Sequence, residues 1–442
     1  MTTQDYFERI SLVKKYPKYR NNFVNGSWKW LEGRRTDDGA YEYWRVHDKL
    51  YDLTKFIERH PGGKTWLELT KGTDITEAFE SYHLTQIPKE LLKEFFISDA
   101  AEPRNYRYTY NENGFYQTLK RRVAEKMENI DSRVTNKSRK CHDFVLIAFI
   151  ITIIFVNRVE SNKAYIFCCV LAGQLLAWLV PISYNFLHKA DNWRMYSGNL
   201  ALQTTRDMRI YHMSHHMYPN TYADLEVSTF EPYIKWIPLL EKGWLYKFHL
   251  LFVTIITHFI YFHNLLKMRY FGVFWGSERA LYFDELVMWI VPFIMIITGG
   301  QAVTQVYFYN IFFKWVHVMI CTNIFYVNFF MNRGHHMPDL IHQGDHIKSF
   351  DFGEYQISTT SDRIGLNRNI FTNLSYYGEQ ILHHLFPSID AALLPQLKST
   401  LIDTCKEFNI ELKECSIFQS VIGQYKQMFR TEVKTNGHKK RE

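Results

Sequence analysis

The chain has 442 residues, enough for two or three domains, and 17% of them are aromatic, a share that suits membrane-interface belts and apolar tunnels. Its net charge of +7 is modest, and because no nucleic-acid motif is present, the sequence predicts no nucleic-acid partner. The six cysteines form no CxxC pair, which favours reduced thiols in a protein that faces the cytosol.

The N-terminal part begins with a polar leader, residues 1–20, followed by short strand-like and helical runs over residues 21–100. This alternation predicts a small α+β domain. The Pro-Gly-Gly sequence at 61–63 predicts a tight turn, because proline fixes its φ and glycine tolerates a positive φ. His60 and His83 lie at the edges of helical stretches, so two helix pairs could hold one haem iron between two imidazoles. Without a CxxCH motif, the haem would be non-covalent.

The string that contains these histidines resembles the cytochrome b5 family over roughly residues 40–97. It runs from Val46-His47-Asp48 through the turn at 61–63 to the helical stretch that ends at His83. The resemblance implies that His60 and His83 are the axial ligands of haem b. It also implies cytochrome b5 reductase as the electron donor.

A charged linker, residues 101–140, precedes several apolar segments. A helix needs about 20 apolar residues to cross a bilayer core of about 30 Å. The crowding of Lys and Arg before the first segment predicts a cytosolic N-terminus. A further run, residues 248–262, is interpreted as an interfacial or re-entrant helix, because counting it as a span would separate the histidine clusters. The predicted spans, in two helical hairpins, are residues 144–156, 164–187, 285–298 and 302–330.

Histidine clusters flank these apolar segments. His212, His215 and His216 are spaced i, i+3, i+4, which places them on one helical face. The third cluster, Gln380-x-x-His383-His384, repeats that spacing. Several clusters on one membrane face indicate a metal site, since neutral imidazoles can bind iron and leave room for dioxygen.

Other polar residues lie near these clusters in the sequence. Asn332 and His336 are spaced i, i+4 at the end of the fourth predicted span, with His335 beside them. Asp224 and Glu226 follow the second cluster, and their carboxylates could accept the distal N–H bonds that orient metal-binding imidazoles.

The histidine clusters resemble the boxes of membrane fatty acyl desaturases fused to cytochrome b5, and the resemblance extends from residue 40 to about 395. It implies a centre of two non-haem irons that uses dioxygen on a lipid or acyl-CoA substrate. The iron ligands that it implies are His188, His212, His215, His216, His336, His383 and His384.

The first box departs from the family pattern HxxxH, because Tyr184 stands in the place of its first histidine. Either one ligand is absent, or a tyrosinate replaces it, since tyrosinate can ligate ferric iron. Gln380 takes the place of a first histidine in the third box, a substitution that cytochrome b5-fused desaturases commonly carry.

The predicted fold is an N-terminal α+β cytochrome b5-like haem domain, followed by an all-α, four-span membrane domain over residues 141–400. A cytosolic helix and a basic tail are expected over residues 401–442. The predicted function is desaturation of a fatty acyl chain by a membrane oxidoreductase. The alternatives are an acyl hydroxylase or a catalytically silent, membrane-anchored haem electron carrier. Lys439-Lys440 resembles a signal for retrieval to the endoplasmic reticulum, so both termini and the histidine clusters are expected in the cytosol.

Overall fold

The computed structural model describes residues 11–21, 26–229, 231–276, 282–299, 304–329 and 334–435. Asn332, the Lys439-Lys440 signal and the first ten residues of the predicted leader lie outside these ranges. The strands are β1 (Trp44–Val46), β2 (Lys49–Tyr51), β3 (Phe96–Asp99), β4 (Asp362–Arg363) and β5 (Glu414–Cys415). The α-helices are α1 (Ser27–Asp37), α2 (Lys64–Thr70), α3 (Thr76–Tyr82), α4 (Ile87–Leu92), α5 (Phe115–Glu128), α6 (Thr135–Arg158), α7 (Asn162–Leu187), α8 (Thr205–Met217), α9 (Leu225–Ser228), α10 (Trp244–Phe274), α11 (Ile290–Thr298), α12 (Gln305–Phe329), α13 (Phe352–Thr359), α14 (Ile370–Tyr376), α15 (Gln380–Leu385), α16 (Lys398–Glu407) and α17 (Ile417–Phe429).

The N-terminal domain, residues 27–99, is built on an antiparallel sheet in the order β1-β2-β3. The β1–β2 hairpin reverses at His47, whose φ is 53°, and Val46 pairs with Lys49. Trp44 is fully buried, and its indole N–H donates to the carbonyl of Leu67 in α2 at 3.1 Å. These contacts confirm the predicted small α+β fold. Its apolar core consists of Trp44, Val46, Tyr51, Leu53, Leu67, Ile75, Phe79 and Leu92.

The rest of the described chain is mainly helical, and four of its helices are long and apolar enough to cross a membrane, judged by length and composition. Their outer faces carry large exposed apolar side chains such as Phe144, Ile255 and Phe313, as a lipid-facing surface requires. The candidate spans are Ser132–Arg158, Asn162–Leu187, Trp244–His263 and Gln305–Asn328. The prediction of a helical domain with four spans is therefore confirmed, since the structure has four candidate spans among the described residues.

The structure corrects which segments these are. Residues 285–298 are not among the candidate spans, because the helical segment described there runs only from Phe283 to Thr298 and begins as a 3-10 helix. The run 248–262, interpreted from the sequence as interfacial, lies within α10, which has 31 residues and is long and apolar enough to cross. By length and composition, the two segments thus exchange roles as candidate spans. With α10 and α12 as crossings, the second and third histidine clusters stay on the same membrane face.

The N-terminal domain rests on α5 and on the membrane domain, residues 132–429, through polar contacts. Tyr218, just after α8, donates its hydroxyl to the carboxylate of Glu77 at 3.0 Å. Glu80 accepts from the Lys120 ammonium of α5 at 2.7 Å. Beside the turn at 61–63, Thr65 donates to the carboxylate of Asp191 at 3.0 Å. Both loops that carry the predicted haem ligands therefore lie against the membrane domain.

Candidate metal centre

Two groups of buried histidines lie side by side beneath the N-terminal domain. In each group, the available ring nitrogens all lie within 4.8 Å of one another. The four-histidine cluster consists of His188, His212, His216 and His383, and the three-histidine cluster consists of His215, His335 and His384. The structure therefore brings together six of the seven predicted iron ligands and adds His335.

Helix α8 contributes to both clusters because of its spacing. Residues four apart lie on one face of a helix, so His212 and His216 reach the same cluster. His215 lies between them in sequence and turns to the other cluster. The two groups are close, since the rings of His216 and His384 stack with centroids 4.3 Å apart. This arrangement suits two metal ions held near each other.

Hydrogen bonds at the second ring nitrogen fix these imidazoles. Nδ1 of His215 lies 2.8 Å from Oδ2 of Asp224, and Nδ1 of His212 lies 3.0 Å from Oε1 of Glu226. The sequence indicated that these two carboxylates could contact such imidazoles, without specifying which histidine each one meets. Asp224 holds its position because it also accepts the backbone N–H groups of the first turn of α9.

Two further orienting contacts escaped sequence reasoning. Nδ1 of His384 lies 3.1 Å from Oε1 of Gln356 in α13. Nδ1 of His188 lies 2.7 Å from the hydroxyl oxygen of Tyr82 in the N-terminal domain. An occupied Nδ1 leaves the Nε2 lone pair available for a metal, which is the usual second-sphere arrangement around metal-binding histidines.

The electrostatics of the site favour neutral imidazoles. Burial, reinforced by neighbouring imidazoles, lowers the pKa of His188, His216, His335 and His384 well below the usual histidine value. Neutral imidazole is the form that binds metal. Among the described residues, Nε2 of His188 and of His384 has no hydrogen-bond partner, although buried polar atoms ordinarily have one. Each of the two clusters thus holds an unpartnered imidazole nitrogen, which fits a metal ion bound in each cluster.

His336 is not part of either cluster, and the assignment made from the sequence is corrected to His335. The ring of His336 stacks on Trp236 with centroids 4.0 Å apart. The chain turns at Gly334, whose φ is +76°, so the two histidines point into different surroundings. His335 faces inward, with its ring 4.3 Å from that of His384. The prediction of His336 assumed that this segment is helical, and the turn at Gly334 contradicts that assumption.

Tyr184 and Gln380, which stand where the family boxes have histidines, have different environments. The Tyr184 hydroxyl accepts the amide N–H of Gln203 at 3.1 Å, and its ring lies 5.1 Å from that of His212. Gln203 could not be recognised from the sequence. Nε2 of Gln380 lies 3.1 Å from Nε2 of His335, and since amide oxygen and nitrogen are assigned from their surroundings, rotation of this amide would offer an oxygen ligand.

The haem crevice predicted from the sequence lies in the N-terminal domain. The rings of His60 and His83 face each other with centroids 6.2 Å apart, which leaves room for one iron. Their Nδ1 atoms lie 2.9 Å from the Gly63 carbonyl and 3.0 Å from the Phe79 carbonyl, respectively. Burial lowers the pKa of His83 to about 4, so its ring stays neutral. A Cβ on Gly62 would lie 2.8 Å from Cε1 of His60, so a larger residue there would displace the imidazole.

A cavity of about 490 Å³ separates these two rings, and its walls are mainly apolar, as a haem requires. The N-terminal domain supplies Leu53, Ile75 and Phe79 to the lining. The membrane domain supplies His188 and Met213, so one wall of the haem crevice is formed beside the four-histidine cluster. The residues present therefore fit a haem in the N-terminal domain and metal ions in the two histidine clusters.

Comparison with known proteins agrees with this geometry. Residues 27–101 match the cytochrome b5-like haem/steroid binding domain, and residues 160–415 match the fatty acid desaturase family. The chain belongs to the fatty acid desaturase family. Its pairing with a cytochrome b5-like domain makes it a membrane oxidoreductase of the lipid-modifying class that carries a haem-type domain.

Relatives of this desaturase-family chain share its whole length. It is 36% identical to a cytochrome b5-related protein of Drosophila melanogaster over 96% of this chain and 97% of the relative. It is 26% identical to a probable Delta(5) fatty acid desaturase C of Dictyostelium discoideum over 91% of each. It is 22% identical to an acyl-lipid (8-3)-desaturase of Mortierella alpina over 83% of this chain and 88% of the relative. The resemblance inferred from the histidine boxes is confirmed.

Proposed function

We propose that this chain is a fatty acyl desaturase in which two non-haem irons use dioxygen to remove hydrogens from a lipid acyl chain. The alternation along α8 is the observation that carries the proposal. His212 and His216 belong to one cluster and His215 to the other, so a single helix provides ligands for two neighbouring metal ions.

Each histidine cluster would hold one iron. When bound, the iron pair supplies dioxygen activation and hydrogen removal, which no side chain provides. The chain's own contribution is to orient the imidazoles, through Asp224 and Glu226 among others, and to keep them neutral in a buried site. His336 is left out of the proposed ligand set, because its ring lies against Trp236.

The N-terminal domain would hold haem b between His60 and His83. When bound in this way the haem supplies single electrons, because an iron with two imidazole ligands has no open position for oxygen. The proposed electron donor to it is cytochrome b5 reductase, and the proposed substrate is a lipid acyl chain or an acyl-CoA. The proposed location is the endoplasmic reticulum membrane, with both termini and the histidine clusters in the cytosol.

The test is expression of the full chain in a yeast strain, with analysis of total fatty acids and of metal content after purification. We expect a new unsaturated acyl product and about two non-haem irons beside each haem. His384→Ala should abolish the product. His249→Ala, which alters a histidine outside both clusters, should leave it unchanged.

The same experiment separates the alternative functions. A hydroxylated acyl product would identify an acyl hydroxylase at the same centre. A protein with a haem spectrum but no non-haem iron and no altered lipid would contradict the enzyme proposal and favour the silent electron carrier.

A further inference from the structure

The orienting partners of the clustered histidines come from two different domains. His212 and His215 contact carboxylates that follow them closely in the membrane domain. His188 instead contacts Tyr82, which lies 106 residues earlier and belongs to the N-terminal domain. Tyr82 directly precedes the predicted haem ligand His83 in the sequence. One residue of the N-terminal domain thus reaches a histidine of the metal centre.

We propose that Tyr82 is a positioning residue that orients His188, so that the N-terminal domain completes the four-histidine cluster. This inference rests on the proposed metal centre and adds a structural dependence of that centre on the other domain. A haem carrier that merely docks on a finished desaturase site would have no such dependence.

The contact with Tyr82 is compatible with the tautomer of His188 that a metal would require. If Nε2 of His188 keeps its lone pair for a metal, Nδ1–H donates to the phenol oxygen of Tyr82, which lies 2.7 Å away. Among the described residues Nε2 has no hydrogen-bond partner, and one ring nitrogen of His188 lies within 4.8 Å of one ring nitrogen from each of the other three histidines. Without Tyr82, the imidazole could rotate or exchange tautomers, and its lone pair would no longer be fixed toward the cluster.

Neighbouring residues contact both the backbone and the ring of Tyr82. Its backbone carbonyl accepts from the hydroxyl of Ser388, in the segment that follows α15, at 2.9 Å. Its ring packs edge-on against Trp66 with centroids 5.7 Å apart, and the guanidinium of Arg209 lies over Trp66 at 4.9 Å. A phenol fixed in this way can define the orientation of its partner at little entropic cost.

The experiment uses the full-length protein and the variant Tyr82→Phe, with Fe²⁺ as the probe under anaerobic conditions. Bound iron is measured by equilibrium dialysis over a range of free Fe²⁺. In Tyr82→Phe we expect one of two irons to bind about 10–100-fold more weakly, the usual effect of losing a second-sphere contact. The second iron and the haem absorption spectrum should not change, which shows that the variant is folded.

Two control variants separate positioning from general effects. Tyr51→Phe removes a phenol from the core of the N-terminal domain, far from the contact, and should bind iron like the wild type. Thr65→Ala removes another hydrogen bond between the domains, the one to Asp191, in which neither Tyr82 nor His188 takes part, and it should also bind iron normally. His188→Ala should lose the same iron, and adding Tyr82→Phe to it should cause no further loss, because both act at one site.

Unchanged iron binding in Tyr82→Phe would overturn this inference alone. Equal weakening in Thr65→Ala or Tyr51→Phe would also overturn it, because domain docking or folding would then explain the effect. Wild-type protein that binds no non-haem iron would overturn the proposed function and this inference with it.

Discussion

Two adjacent histidines, His335 and His336, have different surroundings and should differ in effect. His335→Ala removes an imidazole from the three-histidine cluster, so we expect about one iron fewer per chain. His336→Ala removes a ring that stacks on Trp236, so iron content should stay at the wild-type level. Iron per protein, measured by elemental analysis of each purified variant, decides the matter. Loss of iron in His336→Ala alone would show that His336, and not His335, is a ligand.

The site residues that the sequence revealed are those close together along the chain. Asp224 follows His215 by 9 residues, so a short loop keeps them near each other, and their contact was predictable. Gln356 precedes His384 by 28 residues, and Tyr82 precedes His188 by 106. Such contacts depend on how separate elements pack, and a single sequence carries no local pattern for them.

At the level of elements, the hydropathy of the sequence identified apolar segments but not the length of each helix. Residues 285–298 are strongly apolar, yet their first part belongs to a 3-10 segment, Phe283–Trp289, and only the 9 residues of α11 are α-helical. The run 248–262 was interpreted as interfacial because a crossing there, added to the four predicted spans, would have separated the histidine clusters. Nδ1 of His258 lies 2.5 Å from the Thr254 carbonyl of the preceding turn, so this polar group is satisfied within the helix itself.

The corrected assignment predicts a different topology between α10 and α12. A glycosylation reporter inserted at Gly276, after α10, should be modified, because one crossing would separate it from the histidine clusters, which we propose to be cytosolic. A reporter inserted after Met217, at the end of α8, should stay unmodified. If 285–298 were the third span instead, Gly276 would stay cytosolic. An unmodified reporter at that position would therefore contradict α10 as a crossing.

The contact between α5 and α13 predicts a pH dependence of stability. Asp351 accepts the backbone N–H groups of Gly353, Glu354 and Tyr116, and its burial raises its pKa to about 6. The unfolded value is about 4. Between these values the folded state holds a proton that the unfolded state has released, so the free energy of unfolding falls as the pH rises from about 4 to about 6.

Asp351→Asn removes this titration and keeps an oxygen acceptor for the helix N-terminus. We compare the free energy of unfolding of the variant with that of the wild type at each pH. The difference in favour of the variant should be larger at pH 7 than at pH 4.5, by at most about 3 kcal/mol, which corresponds to two pKa units. Thermal unfolding of both proteins at the two pH values measures the difference. The exposed Asp403→Asn variant provides a comparison and should show no such gain. A wild-type pH profile in Asp351→Asn would refute the assignment.

For the whole molecule, buried ion pairs fix the N-terminal domain in its place. Arg104, in the segment that joins the two domains, donates to Asp74 at 2.7 Å and also pairs with Glu77. All three side chains are buried. The sequence had indicated only a charged linker over residues 101–140. It could not show that Arg104 and Lys120 turn inward, because charge alone does not reveal where a side chain points.

Loss of Arg104 should therefore release the N-terminal domain. Arg104→Ala would leave Asp74 and Glu77 buried without their cation, a change that typically costs about 3–5 kcal/mol. We expect faster trypsin cleavage between residues 101 and 122 and weaker retention of haem. Arg121→Ala removes a partly exposed cation nearby. Trypsin should cleave this variant at the remaining sites no faster than it cleaves the wild type. Equal cleavage rates in both variants would argue against a docking role for Arg104.

The buried character of these ion pairs also bears on how the protein responds to ionic strength. Carriers that meet their partners through surface charge lose affinity as salt screens the attraction, over a Debye length of about 8 Å at physiological ionic strength. Asp74, Glu77 and Glu80 are almost fully covered, so dissolved ions have little access to them. The seating of the N-terminal domain beside His188 should consequently be as firm in concentrated salt as in dilute buffer, a tolerance that diffusing electron carriers lack.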